Sequence, residues 1–308
     1  MRLDDERESS NISDQRGSGG FGGGGGRGPG FKIGGIGAVV VVLGSMYFGI
    51  DPRIVFNLLE GGGGVGVPTT QPAAPGSMAP NQPDSSQPGS NQAGANDPQR
   101  RFVSKILAST EDVWTDQFRQ MGKTYRAPTL VLFSGGTRSG CGLAQTAVGP
   151  FYCPADQKVY LDLDFFRELS DRMGAKGDFA RAYVVAHEIG HHVQNQIGLM
   201  AKVDAARAGM SEAGRNALSV KVELQADCFA GVWANQANRT NHILETGDVE
   251  DGLRTTSAVG DDTLQRRASG SVQPDSFTHG SAAQRTSWFR RGLDSGSIAQ
   301  CDTFSGGS

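Results

Sequence analysis

Cysteine is scarce in this chain, four in 308 residues, and no two form a C-x-x-C pair. That excludes a zinc ribbon, a thioredoxin-like motif and a disulfide-dense miniprotein. Basic surplus is also missing. The net charge is -3, and the Arg266-Arg267 and Arg290-Arg291 pairs stand isolated, so no nucleic-acid partner is expected. Between Gly61 and Gln99 there is no aromatic residue and no Lys or Arg, while seven prolines fall among Gly, Ser, Asn and Gln. Such a stretch has nothing to bury and reads as a linker, with an r.m.s. reach on the order of 35 Å. No internal repeat is found, and no organic cofactor is expected.

One long apolar run is present. Residues 33–50, "IGGIGAVVVVLGSMYFGI", form 18 positions without a charge. As a helix they span about 27 Å, close to a hydrocarbon core of roughly 30 Å. More than 30 residues precede the run and no small-residue cleavage site follows at once, so an uncleaved anchor is expected rather than a signal peptide. Five glycines among these positions are better tolerated in a membrane helix than in a soluble one. Arg16, Arg27 and Lys32 lie before the run and Arg53 alone lies just after it, a bias that places the N-terminus in the cytoplasm and the remainder outside. Disulfides persist there, and of three possible pairings Cys141 with Cys153 and Cys228 with Cys301 is preferred.

The expected organisation is a disordered Gly-rich cytoplasmic tail over 1–32, a transmembrane helix over 33–50, a flexible linker over 51–100 and a folded domain over 101–303. Phe102, Ile106, Val113, Trp114 and Phe118 recur at helical spacing up to Gly122. "TLVLF" reads as a buried strand, and "FYCPADQKVYLDL" as two strands joined by a turn at Pro154 to Gln157. In the second of these Val159, Leu161 and Leu163 alternate with Tyr160 and Asp162, so one covered and one polar face are expected, and the strand is either a sheet edge for an extended substrate or an interior structural strand. Helices dominate afterwards.

The chemistry gathers in "AYVVAHEIGHHVQNQ", residues 182–196, on a helix opened by Gly177-Asp178 and closed by Gly198. His187 and His191 lie four apart on one helical face, as H-E-x-x-H requires for two imidazoles on one Zn²⁺. Glu188 stands one residue round the helix, within reach of a water on the metal and placed to act as general base. His192 is about 100° beyond His191, which leaves it a surface or supporting contact. Gln194 and Ile197 occupy the positions where a metzincin has glycine and its third histidine, so the third ligand lies elsewhere. In "NALSVKVELQADCFAGVW", Glu223 and Asp227 lie four apart on an apolar helix, where unpaired charge would be expensive. Glu223 is the expected ligand, and Asp227 the group that orients a ligand histidine through its distal N–H.

Together "VVAHEIGHHVQ", "VELQADCFAGVW", "GPFYCPADQKVYLDLDFF", "FTHGSAAQRTSWFRRGLDSG" and the opening "MRLDDERESSNISDQRG" resemble the predicted neutral zinc metallopeptidase family of single-pass bacterial membrane proteins. The resemblance implies an α+β, zincin-like domain, mostly helical with a small sheet beside the active-site helix. It also implies one Zn²⁺ and a gluzincin-like metalloendopeptidase acting on protein or peptide substrates at the bacterial envelope. His279, before a helix start, is a candidate oxyanion stabiliser. The competing expectation is a non-catalytic envelope protein that uses such a scaffold to bind a partner. Intact Glu188 favours the enzyme, because a structural zinc site needs no base.

Overall fold

The computed structural model describes residues 1–16, 97–145 and 149–305. The apolar run 33–50 and residues 51–96 of the expected linker lie outside the described residues, whereas its last residues, 98–100, open a helix; among the described residues no helix is long and apolar enough to cross a membrane.

Strand β1 (Ile12–Asp14) is followed by helix α1 (Pro98–Gln120), strands β2 (Thr129–Phe133), β3 (Gly136–Ser139), β4 (Gly142–Gln145), β5 (Phe151–Cys153) and β6 (Lys158–Asp162). Seven helices come next: α2 (Asp164–Met173), α3 (Asp178–Gln196), α4 (Leu199–Arg207), α5 (Glu212–Asn241), α6 (Asp248–Ala258), α7 (Asp261–Ser269) and α8 (Ala282–Ser295). Helix α1 starts where Asp97 accepts the Gln99 N–H and Pro98 supplies a fixed φ, and it buries Ile106, Leu107, Trp114 and Phe118. This mixed architecture is α+β. One sheet runs β1-β2-β6-β5, with β1, β2 and β6 parallel and β5 antiparallel to β6; β3 and β4 form a separate hairpin.

Two sequence expectations need correction. Strand β6 is interior, between β2 and β5, so it is not a sheet edge. Nor does it present a polar face. Val159 and Leu161 enter the main core, while Tyr160 packs with Val131, Phe133 and Cys153 in a second apolar cluster under Cys141 and Phe151. The disulfide Cys141–Cys153 straps the β3–β4 hairpin over that second face, a long-range cover that alternation within one strand cannot reveal.

The other correction concerns the tail. Residues 1–16 are ordered against the domain rather than disordered. Strand β1 pairs with β2 in register Ile12↔Leu130, Ser13↔Val131 and Asp14↔Leu132, and Leu3 is buried. The segment is poor in apolar residues because polar pairing and strand addition hold it, which a hydrophobicity criterion misses.

Helices α3, α5 and α8 stack tightly behind the sheet. A Cβ on Gly190 of α3 would lie 3.1 Å from the Ala226 carbonyl oxygen of α5, and one on Gly292 of α8 would lie 1.9 Å from that of Cys228. Glycine at these two positions lets the three backbones approach. Phe179, Trp233 and Phe289 fill the space beside them.

Candidate metal centre

Helix α3 presents His187 and His191 with ring centroids 4.8 Å apart, and α5 presents Glu223 opposite them. His187 Nε2 lies 3.1 Å from Glu223 Oε2, and His191 Nε2 lies 3.5 Å from Glu223 Oε1. One donor atom from each of the three residues falls within 4.8 Å of the others. Two imidazole nitrogens and a carboxylate oxygen converging in this way are a donor set suited to Zn²⁺.

Each histidine is held from behind. His187 Nδ1 meets Asp227 Oδ1 at 2.9 Å, which directs Nε2 toward Glu223. His191 Nδ1 meets Gln194 Oε1 at 2.9 Å, and Gln194 Nε2 donates to the Val222 carbonyl at 2.7 Å. Gln194, at the position that rules out a metzincin, is thus the second orienter, missed because only the carboxylates were sought. Asp227 has no exposure and is fully surrounded: Arg285 donates from Nε to Oδ2 at 2.8 Å and from Nη2 to Oδ1 at 3.0 Å, and the Tyr183 hydroxyl donates to Oδ1. Neither Arg285 nor Tyr183 was marked by the sequence: Tyr183 precedes His187 by four residues and Arg285 lies in "FTHGSAAQRTSWFRRGLDSG", but nothing in either stretch joins them to Asp227.

Electrostatics follow from this packing. Burial disfavours a charged His187, but Asp227 and Glu223 outweigh it and raise its pKa to about 10. Burial likewise opposes ionised Glu223, yet His191 and His187 hold it well below the usual carboxylate range. A divalent cation held by the three donors would need them deprotonated, so its binding would release protons. Glu188, 8% exposed, has its pKa raised by burial, against the pull of His191 and His187 and a hydrogen bond from the Tyr152 backbone N–H. His192 is not a surface residue: it is 1% exposed, with Nδ1 3.1 Å from the Tyr152 hydroxyl and Nε2 2.7 Å from the Arg126 carbonyl. It ties α3 to β5, beside the strand that meets Glu188.

His279 Nδ1 lies 3.2 Å from Asp261 Oδ1, while the N–H groups of Thr278, His279 and Gly280 all donate to Asp261 Oδ2. Its pKa is lowered by burial but raised overall by Asp261 and by the charge of Glu223. The structure joins Cys141 to Cys153 and Cys228 to Cys301. The second bridge leaves α5 one residue after Asp227, and Gln225 Nε2 donates to the Cys301 carbonyl.

The chain matches, over residues 1–304, the profile of a family described as "Putative neutral zinc metallopeptidase". It belongs to that family. An uncharacterized protein of Escherichia coli, YpfJ, is 46% identical over 308 residues, covering 99% of either chain. An uncharacterized protein of Mycobacterium tuberculosis is 41% identical over 215 residues, 67% of this chain and 72% of its own. No solved structure matches. The described residues bring together His187, His191 and Glu223 as the candidate metal site.

Proposed function

We propose that this protein is a zinc-dependent endopeptidase of zincin-like arrangement that hydrolyses peptide bonds outside the cytoplasm, held at the membrane through residues 33–50. The observation that carries the catalytic reading is Glu188, buried beside two converging ligand histidines on one helix and matched by Glu223 from another. Two disulfides support the oxidising compartment.

Zn²⁺ held by His187, His191 and Glu223 would supply Lewis acidity, acidifying a water and polarising the scissile carbonyl. Glu188 removes the proton from the attacking water and delivers it to the leaving amine, a role suited to a carboxyl whose pKa burial has raised. Asp227 and Gln194 hold the two imidazoles in the tautomer that leaves Nε2 free as donor. His279, steadied by Asp261, donates to the carbonyl oxygen as charge develops on it. An extended substrate would lie along β5, the edge strand whose Tyr152 N–H meets Glu188.

The test is Glu188→Gln in the full chain, assayed on casein and a peptide library alongside zinc stoichiometry. Turnover should drop by about 10²–10⁴-fold with zinc retained. Equal cutting by both proteins would remove Glu188 from the mechanism, and no cutting by either would return the scaffold reading.

A further inference from the structure

Residues 1–16 dock on the domain through contacts that reach into its interior. Glu111 on α1 is 6% exposed, and among the described residues its side-chain partners all come from this segment. Its Oε1 accepts from Ser9 Oγ at 2.6 Å and Asn11 Nδ2 at 2.7 Å, and its Oε2 from Arg7 Nη2 at 2.9 Å. Without the segment a buried carboxylate on α1 would face no donor. Lys105 Nζ donates to the Leu3 carbonyl at 2.6 Å, and Ser104 and Ser9 exchange two further bonds. At the far end β1 completes the sheet on β2, and Arg16 forms an ion pair with Asp97, the residue that caps α1.

These contacts bear on membrane topology. A single crossing by residues 33–50 would put Arg16 and Asp97 on opposite faces of a hydrocarbon layer about 30 Å thick, yet they touch. Residue 16 and residue 97 must therefore be separated by an even number of crossings. Two crossings require a second long apolar run, and residues 51–96 contain none. The positive-inside argument loses weight for the same reason, because Arg16 is already paired with Asp14 and Asp97. The two disulfides place the domain on the oxidising side.

We infer that residues 1–16 and the metal-bearing domain stand together on the outer side of the membrane. The surface formed by α1 and the β2 edge is thus a permanent seat for the chain's own first strand. The inference goes beyond catalysis and does not depend on it.

The test uses the full chain in intact spheroplasts, with Asp5→Cys or Asp171→Cys, both exposed positions, probed by a membrane-impermeant maleimide; the native cysteines are paired. Both sites should label before lysis, to extents within about twofold of each other. If one labels before lysis and the other at least tenfold less until lysis, the shared side is overturned. Protection of both until lysis would overturn the outer placement. A second arm combines Glu8→Cys with Arg101→Cys, exposed residues whose native side chains meet at 3.0 Å. A short bismaleimide should bridge them within one chain of detergent-extracted protein. Reaction of both cysteines without any bridge would overturn the docking itself.

Discussion

Arg285 grips both oxygens of Asp227 from α8 while Asp227 grips His187, so a residue 98 positions downstream of the ligand fixes its orientation. The pair has almost no solvent access, with Arg285 5% and Asp227 0% exposed. Removing one partner of a buried pair leaves the other uncompensated, at a cost of about 3–5 kcal/mol. Arg285→Met should therefore lower the unfolding midpoint sharply. Arg285→Lys keeps the charge but loses the fork, and should retain the fold while weakening zinc binding about 10–100-fold in chelator competition. Unchanged zinc affinity in the lysine variant would limit Arg285 to a structural part.

Gln194→Leu removes the group behind His191 and strips the Val222 carbonyl of its side-chain donor. Zinc affinity should fall by about 10–100-fold. Competition with a chromophoric chelator measures it, and wild-type affinity would free His191 from dependence on Gln194.

Gly292→Ala places a methyl group 1.9 Å from the Cys228 carbonyl oxygen, a contact with backbone that cannot rotate away. Helices α5 and α8 must part, with overpacking costing about 1–3 kcal/mol or more. Because α8 carries Arg285 and α5 carries Asp227, thermal stability and zinc affinity should fall together. Loss of one without the other would show that the helix contact and the metal ligands are mechanically separate.

Acid should unfold the zinc-free protein through Asp227 in a defined direction. Burial raises its pKa, but Arg285 and His187 outweigh it and bring it to about 2, below the unfolded value of about 3.9. The native state thus binds fewer protons, and this stabilisation, about 2–3 kcal/mol, is present above pH ~4 and lost as pH falls through about 2. Asp227→Asn should flatten that part of the stability curve measured by denaturant midpoints. A curve as steep as the wild type's would assign acid lability to other carboxylates.

Much of the centre was legible because its spacing is local: His187, Glu188 and His191 share one helix, Glu223 and Asp227 another, and four-residue intervals announce a common face. What joins the two helices was not legible. Gly190 and Gly292 look like helix weaknesses in one dimension, and only the approach of a neighbouring backbone explains them. Arg285 lies in "FTHGSAAQRTSWFRRGLDSG" with two other arginines, and nothing there singles it out as the partner of Asp227. The first strand was hidden for a different reason: "NISDQ" holds one strongly apolar residue, and its partners on α1 and β2 lie about a hundred positions away.

The Cys228–Cys301 bridge has a consequence for biosynthesis. The centre draws on His187, then Glu223, then Arg285, and is braced by Cys301, which follows them all in the chain. A chain growing from its N-terminus cannot complete that geometry until Cys301 has emerged. Under the peptidase reading, the growing chain is therefore harmless to its neighbours by construction, with hydrolytic competence arriving only once Cys301 and an oxidant have both reached it.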